Sequence, residues 1–335
     1  MRKGHGEISQ KVYHNRRPPP IPPLGGLHFP AGWCTIGTNP ALKEDNMNPF
    51  LQDFAAFMEQ QPFSIIRLSE VQGDGEIETW NMQEANACQD TYSVAKTYVM
   101  TGIGLLWDRG LISLDERLVD ILRDEISPET KKKMDPRWDL VTVEMALTHR
   151  LGLPGGFLDI DCCNVEEFGE DYLAYTLTYP LDYTPGTQAK YSDGAFYLLA
   201  RAAAARTGMP LDRYLWPELF YPLGYREMAW STCPHGHPVG GSGLYVGSAD
   251  MVKLGMIYRD GGLYRGRRIL SEAWTRLAVE REFALDWDPE HRVYFKGGMY
   301  GQKLIVAPEQ DRVVACQAYG GNSDVVMRFV RDYRG

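Results

Sequence analysis

Residues 91–110 read Thr-Tyr-Ser-Val-Ala-Lys-Thr-Tyr-Val-Met-Thr-Gly-Ile-Gly-Leu-Leu-Trp-Asp-Arg-Gly. From Val94 to Trp107 this stretch is apolar on nearly every side, so a helix formed by it has no face to present to water. Ser93 stands where such a helix would begin and Gly110 where it would end, and both residue types are favoured at those ends. The sequence therefore predicts a central helix that is buried all round.

Ser93 and Lys96 are three residues apart, so at helical pitch their side chains share one face. Burial disfavours the charged form of a lysine and lowers its pKa, which leaves a neutral amine. A neutral amine can accept the proton of a serine hydroxyl, and a helix N-terminus stabilises the negative charge that results. The pair predicts a serine nucleophile with an uncharged lysine as its base.

Ser-x-x-Lys is a short motif, and a second interpretation fits it as well. Ser93 could act only as a helix cap, while Lys96 could extend its stem along the apolar surface and keep its charge in water. The motif alone leaves both interpretations open.

The composition describes an ordinary globular protein of 335 residues with an acidic balance. The net charge is −9 and the pI is near 5.4, which disfavours nucleic acid or an anionic membrane as a partner. No stretch approaches 18 uninterrupted apolar residues, so no membrane span is predicted. These bounds favour a small molecule as the partner, and they leave the oligomeric state open.

The N-terminus and the cysteines indicate a cytoplasmic location. Arg2 and Lys3 are followed by no apolar run, so the segment up to Pro23 does not match a secretory signal. The six cysteines are scattered and form no paired spacing, which predicts reduced thiols.

Strand patterns occur near both ends of the chain, and helical patterns fill its middle. Residues 63–80 and 293–318 each alternate around a turn, which predicts two β-hairpins. The sequence predicts an α/β (α+β) fold in which both ends of the chain build one antiparallel sheet flanked by helices. The predicted division is an N-terminal arm with a Pro-rich segment (1–49), an α/β domain (50–109 and 241–335) and an inserted, mostly helical domain (110–240).

Tyr191 is a candidate for carrying a proton to a leaving group. It follows the turn Pro185-Gly186-Thr187 and precedes an apolar helix, a position from which a phenol can point into a cleft. A tyrosine at a loop-to-helix junction can also serve only to pack, and the residue type does not decide between these roles.

Taken together, the motifs resemble the serine β-lactamase-like, penicillin-binding-protein-like superfamily. The branch that they look most like contains class C β-lactamases, carboxylesterases and 6-aminohexanoate-dimer hydrolases. The resemblance covers about residues 60–330, and its motifs appear in the family's order: Ser93-Val94-Ala95-Lys96, Leu147-Thr148-His149 with Gly152-Leu153-Pro154-Gly155-Gly156, Tyr191-Ser192-Asp193, Gly243-Leu244-Tyr245, and Gly298 with Gly301-Gln302.

The resemblance implies a role for each matched residue. Ser93 would be the acylated nucleophile and Lys96 its proton acceptor. Tyr191, which matches the tyrosine of the family's Tyr-x-Asn motif, would shuttle the proton to the leaving group. The N–H of Ser93 would supply one donor of the oxyanion hole, and such donors carry much of the rate enhancement.

Two departures from the family pattern bear on the substrate. Asp193 stands where the family has Asn, which predicts a carboxylate at the edge of the substrate site. The Lys-Thr-Gly or His-x-Gly motif is absent, and the matching strand offers Lys296 or Gly297 for substrate binding and as the second oxyanion donor. Both departures favour an ester or amide over penicillin, although β-lactamase or D-Ala-peptidase-like activity stays open.

Other signals in the chain are weaker. Cys233, His235 and His237 could be zinc ligands, but no second cluster follows them, so no metal and no cofactor are predicted. The chain lacks the Gly-x-Ser-x-Gly elbow of α/β-hydrolases. His149 is interpreted as a capping or packing residue, because Lys96 already fills the role of base. The prediction is a serine hydrolase with an acyl-enzyme intermediate, and the alternative is an inactive binding or sensor protein on the same scaffold.

Overall fold

The structure is a computed structural model that describes residues 47–334. The predicted Pro-rich segment and Cys34 lie outside these residues, as does most of the predicted arm. The helices are α1 (Pro49–Met58), α2 (Ala95–Asp108), α3 (Leu118–Ile121), α4 (Pro128–Lys133), α5 (Val143–Leu147), α6 (Tyr172–Thr178), α7 (Asp193–Thr207), α8 (Leu211–Leu215), α9 (Ser248–Arg259), α10 (Glu272–Glu280) and α11 (Ser323–Asp332). The strands are β1 (Arg67–Gln72), β2 (Glu78–Asn81), β3 (Gln89–Asp90), β4 (Ala229–Trp230), β5 (Leu244–Val246), β6 (Leu263–Tyr264), β7 (Arg267–Arg268), β8 (Asp286–Asp288), β9 (Val293–Gly297), β10 (Lys303–Ala307) and β11 (Arg312–Gln317).

The main sheet joins strands from the two ends of the described chain. Its order is β2-β1-β11-β10-β9-β8, and each neighbouring pair is antiparallel. The link between the ends is β1 against β11, where Leu68 pairs with Cys316. The predicted fold class is therefore confirmed, including both hairpins. The division of the chain into the three predicted segments stays a prediction.

The sheet separates two apolar cores because side chains alternate between its faces. On β11, Val313 and Ala315 pack toward the central helices, while Val314 and Cys316 pack toward α1 and α11. Every strand position of β11 is buried. The larger core, which contains α2 and α7, is the one that borders the candidate site.

Helix α2 confirms the prediction of a buried central helix. All its residues from Ala95 to Leu106 are buried, and Gly110 follows its end with a φ of +65°. The prediction for Ser93 as a cap is wrong, because the N-cap position belongs to Val94 and Ser93 lies in a short 3-10 turn before the helix. No side chain caps α2. The hydroxyl of Ser93 is therefore not used in a cap and is available for another contact.

The middle third contains short helices. One of them is α4, which the Ser127 hydroxyl caps by accepting the Thr130 N–H at 3.1 Å. The basic run from Lys131 to Lys133 forms the exposed last turn of this helix. Among the described residues, the structure contains no helix with the length and apolar character needed to cross a bilayer.

Gly104 lets another helix approach α2 closely, and replacing it with alanine should destabilise the fold. A Cβ at this position would lie 2.2 Å from Nε1 of Trp274, a fully buried side chain on α10. Overpacking of this kind costs about 1–3 kcal/mol. Urea denaturation of Gly104→Ala should show that loss in the free energy of unfolding. Gly155→Ala is the matched control, since its new Cβ would meet only Tyr191 O at 3.8 Å, and a loss of equal size there would contradict the packing argument.

Candidate active site

Lys96 lies at the centre of a polar cluster in the larger core. Its ammonium nitrogen, Nζ, is 2.6 Å from Oδ1 of Asp193, 2.7 Å from the carbonyl oxygen of Gly241 and 3.2 Å from Oγ of Ser93. The side chain is fully buried. A lysine ammonium has three protons to donate, and three acceptors surround it here. The structure thus brings Ser93 and Lys96 together as the sequence predicted.

The charge of Lys96 differs from the sequence prediction. Burial alone lowers the pKa of this amine, but the carboxylate of Asp193 and the hydroxyl of Tyr191 outweigh burial and raise the pKa to about 12. The expectation of an uncharged amine is therefore wrong for this state of the site. Burial of Lys96 could be predicted from the sequence. Its counter-ion, Asp193, could not, because it is 97 residues away in sequence.

Asp193 is the counter-ion of Lys96, and its place at the edge of the substrate site stays a prediction. Its residue surface is only 7% exposed. It occupies the first turn of α7, where the helix dipole favours a negative charge. Its backbone N–H donates to the carbonyl oxygen of Phe157 at 3.0 Å, which fixes the start of the helix.

Gly241 is a site residue that the sequence analysis did not single out. A Cβ at this position would lie 2.3 Å from Cγ of Asp193, so only glycine permits the close approach. The loop reaches the site because Leu244 O accepts the N–H of Thr91, two residues before Ser93, at 2.8 Å. The signal in the sequence was the glycine-rich stretch Gly240-Gly241-Ser242-Gly243. It does not match a phosphate loop, and in the structure Gly241 allows close packing against Asp193.

Tyr191 lies over the two lysines of the cleft. The centre of its ring is 4.6 Å from Nζ of Lys96 and 5.1 Å from Nζ of Lys296. The residue is 45% exposed, so the ring borders the open side of the site. Its carbonyl oxygen accepts the N–H of Gly156 at 2.8 Å, and this bond anchors the segment. The structure places Tyr191 beside Lys96, as predicted.

His149 packs behind Tyr191, which confirms its interpretation as a packing residue. The two ring centres are 4.4 Å apart, and Nδ1 of His149 accepts the N–H of Ser192 at 3.2 Å. Burial, together with the charges of Lys96 and Lys296, lowers the pKa of this imidazole to about 2. The ring is therefore neutral, and its contacts stabilise the segment that carries Tyr191.

Strand β9 supplies the other wall of the cleft. Gly298 donates its N–H to Gln302 O at 2.8 Å, which fixes the register of the pairing with β10. Because hydrogen-bonded pairs alternate along an antiparallel ladder, the N–H of Lys296 points to β10, whereas that of Gly297 points to the opposite edge. Met299 lies beyond β9, in the turn that leads to β10. Within residues 47–334, the pairing of that edge with β8 ends at Phe295.

The free edge of β9 lies beside the turn that contains Ser93. A Cβ on Gly298 would meet the carbonyl oxygen of Thr91 at 2.7 Å, and the ring centres of Tyr92 and Tyr300 are 5.0 Å apart. Of the two predicted second donors, Lys296 is excluded as an N–H donor by its pairing with β10. Its buried side chain instead points toward Tyr191 and lies 3.4 Å from Asp286. Met299 is a further candidate that the sequence analysis missed.

The segment that carries the possible zinc ligands, Cys233, His235 and His237, packs against α7. Cys233 is buried and accepts the hydroxyl of Tyr197 at 3.6 Å, and burial together with Arg201 lowers the pKa of His237 to about 4. Among residues 47–334, no group of three or more His, Cys, Asp or Glu side chains is placed to hold a metal ion. The five described cysteines are unpaired.

The fold and this cluster define a protein of the serine β-lactamase and penicillin-binding class. The chain belongs to the Beta-lactamase family, whose family model matches residues 71–329. The resemblance drawn from the motifs is therefore confirmed, and hydrolysis is the class of chemistry that the family indicates.

Solved structures show the same fold at low sequence identity. A candidate 6-aminohexanoate-dimer hydrolase from Bacillus anthracis superposes with a TM-score of 0.66 at 15% identity, covering 84% of this chain and 80% of that chain. The hydrolase EstCE1, which has promiscuous acyltransferase activity, superposes with a TM-score of 0.61 at 15% identity, covering 84% and 95%.

One sequence relative matches part of the chain. The N-acetylmuramyl-L-alanine amidase of Bacillus subtilis is 32% identical over 105 residues, which is 29% of this chain and 23% of the amidase. The chain spans less than a third of the length of the curated relatives that it matches.

Proposed function

We propose that this protein is a serine hydrolase that forms an acyl-enzyme on Ser93 from a small ester or amide. The observation that carries the proposal is the distance of 3.2 Å between Lys96 Nζ and Ser93 Oγ, at a fully buried ammonium beside Tyr191. The names of similar proteins, a hydrolase and an amidase, support an ester or amide substrate.

The proposed proton path differs from the family assignment for Lys96. Ser93 Oγ attacks the carbonyl carbon while Tyr191 Oη receives the serine proton and gives its own proton to the leaving atom. Lys96 stays an ammonium and stabilises the negative charge that develops on both oxygens. In the second half, water attacks the acyl-enzyme, Tyr191 takes a proton from the water and returns its own to Ser93, and the acid leaves.

The oxyanion of each tetrahedral intermediate is proposed to accept two backbone N–H groups. One is the N–H of Ser93 and the other is that of Met299, in the turn that follows β9. Gly298 approaches Thr91 and Tyr300 contacts Tyr92, so Met299 lies between two residues that meet the turn of the nucleophile. Fixed donors aimed at a developing charge supply a large part of the rate enhancement of acyl transfer.

A fluorophosphonate probe tests the nucleophile directly. We expect intact mass spectrometry of the wild type to show one adduct, and peptide mapping to place it on Ser93, because the probe reacts with activated serines. Ser93→Ala should show none. Ser113→Ala, which changes an exposed serine away from the cleft, is the control and should be labelled at the wild-type rate. A wild type that stays unlabelled, or an adduct on another serine, rejects the assignment.

Asp193→Asn tests the charge of Lys96 during turnover. Loss of the carboxylate removes one of the two groups that oppose burial, so the pKa of Lys96 falls. If the ammonium is the working form, the alkaline limb of the pH–rate profile should move to lower pH in the variant. At a fixed pH on that limb, the rate should then fall about tenfold for each pH unit by which the limb moves.

The opposite assignment gives a different profile. If the amine were the base, the acid limb would move instead and the rate of Asp193→Asn at pH 7 would exceed that of the wild type. Asp286→Asn, which removes the carboxylate near Lys296, is the matched control and should leave the alkaline limb where it is in the wild type.

A non-catalytic binding or sensor protein on the same scaffold is the second candidate. The ion pair between Lys96 and Asp193 favours it if catalysis requires Lys96 as the base, because a lysine held as an ammonium cannot accept the serine proton. The same probe experiment decides between the candidates. An unlabelled protein that still binds a small ester or amide would establish the binding protein.

A further inference from the structure

A row of three tyrosines begins at the residue that precedes the nucleophile. The ring of Tyr92 meets that of Tyr300 edge-on, with ring centres 5.0 Å apart and an angle of 70° between the planes. Tyr300 in turn stacks on Tyr319, with ring centres 4.5 Å apart and an angle of 23°. The row therefore extends from the turn of Ser93 through three rings in contact.

The outer end of this row is exposed to solvent. Tyr319 is 64% exposed, and Met299, which precedes Tyr300 in the chain, is 47% exposed. Exposed apolar side chains that gather at one place on a protein surface mark a binding site, whereas single ones do not. Met299, Tyr300 and Tyr319 are called the apolar platform below.

A buried glutamine joins the two segments of the platform. Gln302 is only 2% exposed. Its Oε1 accepts the N–H of Tyr300 at 3.1 Å, and its Nε2 donates to the carbonyl oxygen of Ala318 at 2.8 Å. The carbonyl oxygen of Tyr300 also accepts the N–H of Gly320 at 2.9 Å. These bonds fix the position of Tyr300 and of the segment that carries Tyr319, and such preorganisation lowers the entropic cost of binding a ligand.

Gly301 allows these two segments to approach each other. Its φ is +100°, and a Cβ at this position would lie 2.6 Å from the carbonyl oxygen of Gly321. A side chain larger than hydrogen would therefore push the segments apart and separate the stacked rings. The Gly301-Gln302 part of the sequence motif thus serves to build the platform.

The platform lies on the oxyanion side of the candidate site. Met299 is proposed to supply the second oxyanion donor, so the carbonyl oxygen of the substrate would lie beside the platform. The leaving atom would lie at Tyr191, because the hydroxyl of Tyr191 is proposed to protonate it. The remaining substituent of the carbonyl carbon is the acyl chain, and it is the part of the substrate that is free to extend over Tyr300 and Tyr319.

We propose that the apolar platform binds an aromatic ring in the acyl part of the substrate. The inference rests on the proposed function, because it names the class of ester or amide that Ser93 would cleave. Aromatic rings prefer offset-stacked and edge-on contacts with one another, and a ring on Tyr319 would continue the contacts that the row already makes. The thioether of Met299 adds a favourable contact for a ring edge.

Two esters that differ only in the saturation of one ring isolate the aromatic contribution. Hydrolysis of ethyl 3-phenylpropanoate and of ethyl 3-cyclohexylpropanoate is compared in a pH-stat, and the ethanol that leaves contains no ring. The cyclohexyl group has at least as much apolar surface as the phenyl group, so burial of area does not favour the phenyl ester. We expect kcat/KM to favour the phenyl ester by about fivefold or more, equivalent to about 1 kcal/mol.

Variants assign the preference to the platform. In Tyr319→Leu and in Tyr300→Leu the ratio of the two kcat/KM values should fall toward one. Tyr319→Phe keeps the ring and loses only the hydroxyl, so it should keep the wild-type ratio. Tyr221→Leu removes a tyrosine that is 75% exposed and lies outside the platform, and it should also keep that ratio. A wild-type ratio of one or below overturns the proposal, as does a preference that persists in both leucine variants.

Binding separates this inference from the proposed function. Isothermal titration calorimetry with 1-phenylhexan-3-one and 1-cyclohexylhexan-3-one measures the platform without turnover, because CH₂ replaces the ester oxygen and a ketone has no leaving group. Tighter binding of the phenyl ketone without turnover of either ester would keep the platform and reject the hydrolase. Turnover of both esters at equal rates, with equal binding of the two ketones, would keep the hydrolase and reject the platform. Failure of both ketones to bind would also reject the platform.

Discussion

Ser93→Ala is expected to lower kcat/KM for an activated ester by on the order of 10⁴-fold to 10⁶-fold. Removing a nucleophile eliminates the covalent path, and only the contributions of binding and the oxyanion hole remain. The fold should persist, because Ser93 lies in a turn before α2 and its hydroxyl accepts a single bond from Lys96. Stopped-flow ester hydrolysis and far-UV circular dichroism measure both results on the same sample.

The matched control for this variant is Ser113→Ala, which removes a hydroxyl from an exposed position. It should hydrolyse the ester at the wild-type rate. If Ser93→Ala kept more than about a hundredth of wild-type turnover, ester cleavage would arise from another group, and the acyl-enzyme proposal would be wrong.

The sequence was sufficient for the fold because its strongest signals are local. The apolar run from Val94 to Trp107 predicts α2, and the alternation on either side of the turns at 72–75 and 308–311 predicts two hairpins. The resemblance of the motifs to a known family then indicates how these elements are arranged in the fold. The short helices of the middle third were harder to place, because a helix such as α4 depends on a single cap at Ser127.

The residues that meet at the candidate site could be predicted from the sequence, but the charge of Lys96 could not. Ser93, Lys96 and Tyr191 meet as expected. The protonation of Lys96 could not be predicted from its own helix, since it depends on Asp193 at the start of α7 and on Gly241 in a third segment. Burial is visible in an apolar pattern, whereas a counter-ion is a tertiary contact that no local pattern encodes.

The same limit applies to the wall formed by β9. The residue types suggested Lys296 or Gly297 as a donor, but the direction of an N–H depends on strand register. The bond from Gly298 to Gln302 fixes that register and directs the N–H of Lys296 toward β10. Register depends on the partner strand, which the sequence of β9 alone does not specify.

Lys96→Met should destabilise the protein by about 3–5 kcal/mol, because it leaves the buried carboxylate of Asp193 without a partner. Methionine keeps most of the packing volume, so the loss reports the charge and not a cavity. In Lys96→Met/Asp193→Asn the uncompensated charge is absent, and roughly half of the loss or more should be recovered. Urea denaturation of the wild type, Lys96→Met, Asp193→Asn and the double variant gives the free energies of unfolding.

The pH dependence of the wild type gives a second measure of the same pair. The pKa of Lys96 is raised to about 12 in the folded protein from the ordinary value of 10.5, so the native state holds this proton more tightly than the unfolded chain. The stabilisation is fully present below pH 10.5 and is lost as pH rises to 12, and Lys96→Met should lack this dependence. Lys253→Met, which breaks the more exposed pair with Asp250, is the control and should cost about 1 kcal/mol or less. A double variant no more stable than Lys96→Met would show that Asp193 is not the partner that holds the ammonium.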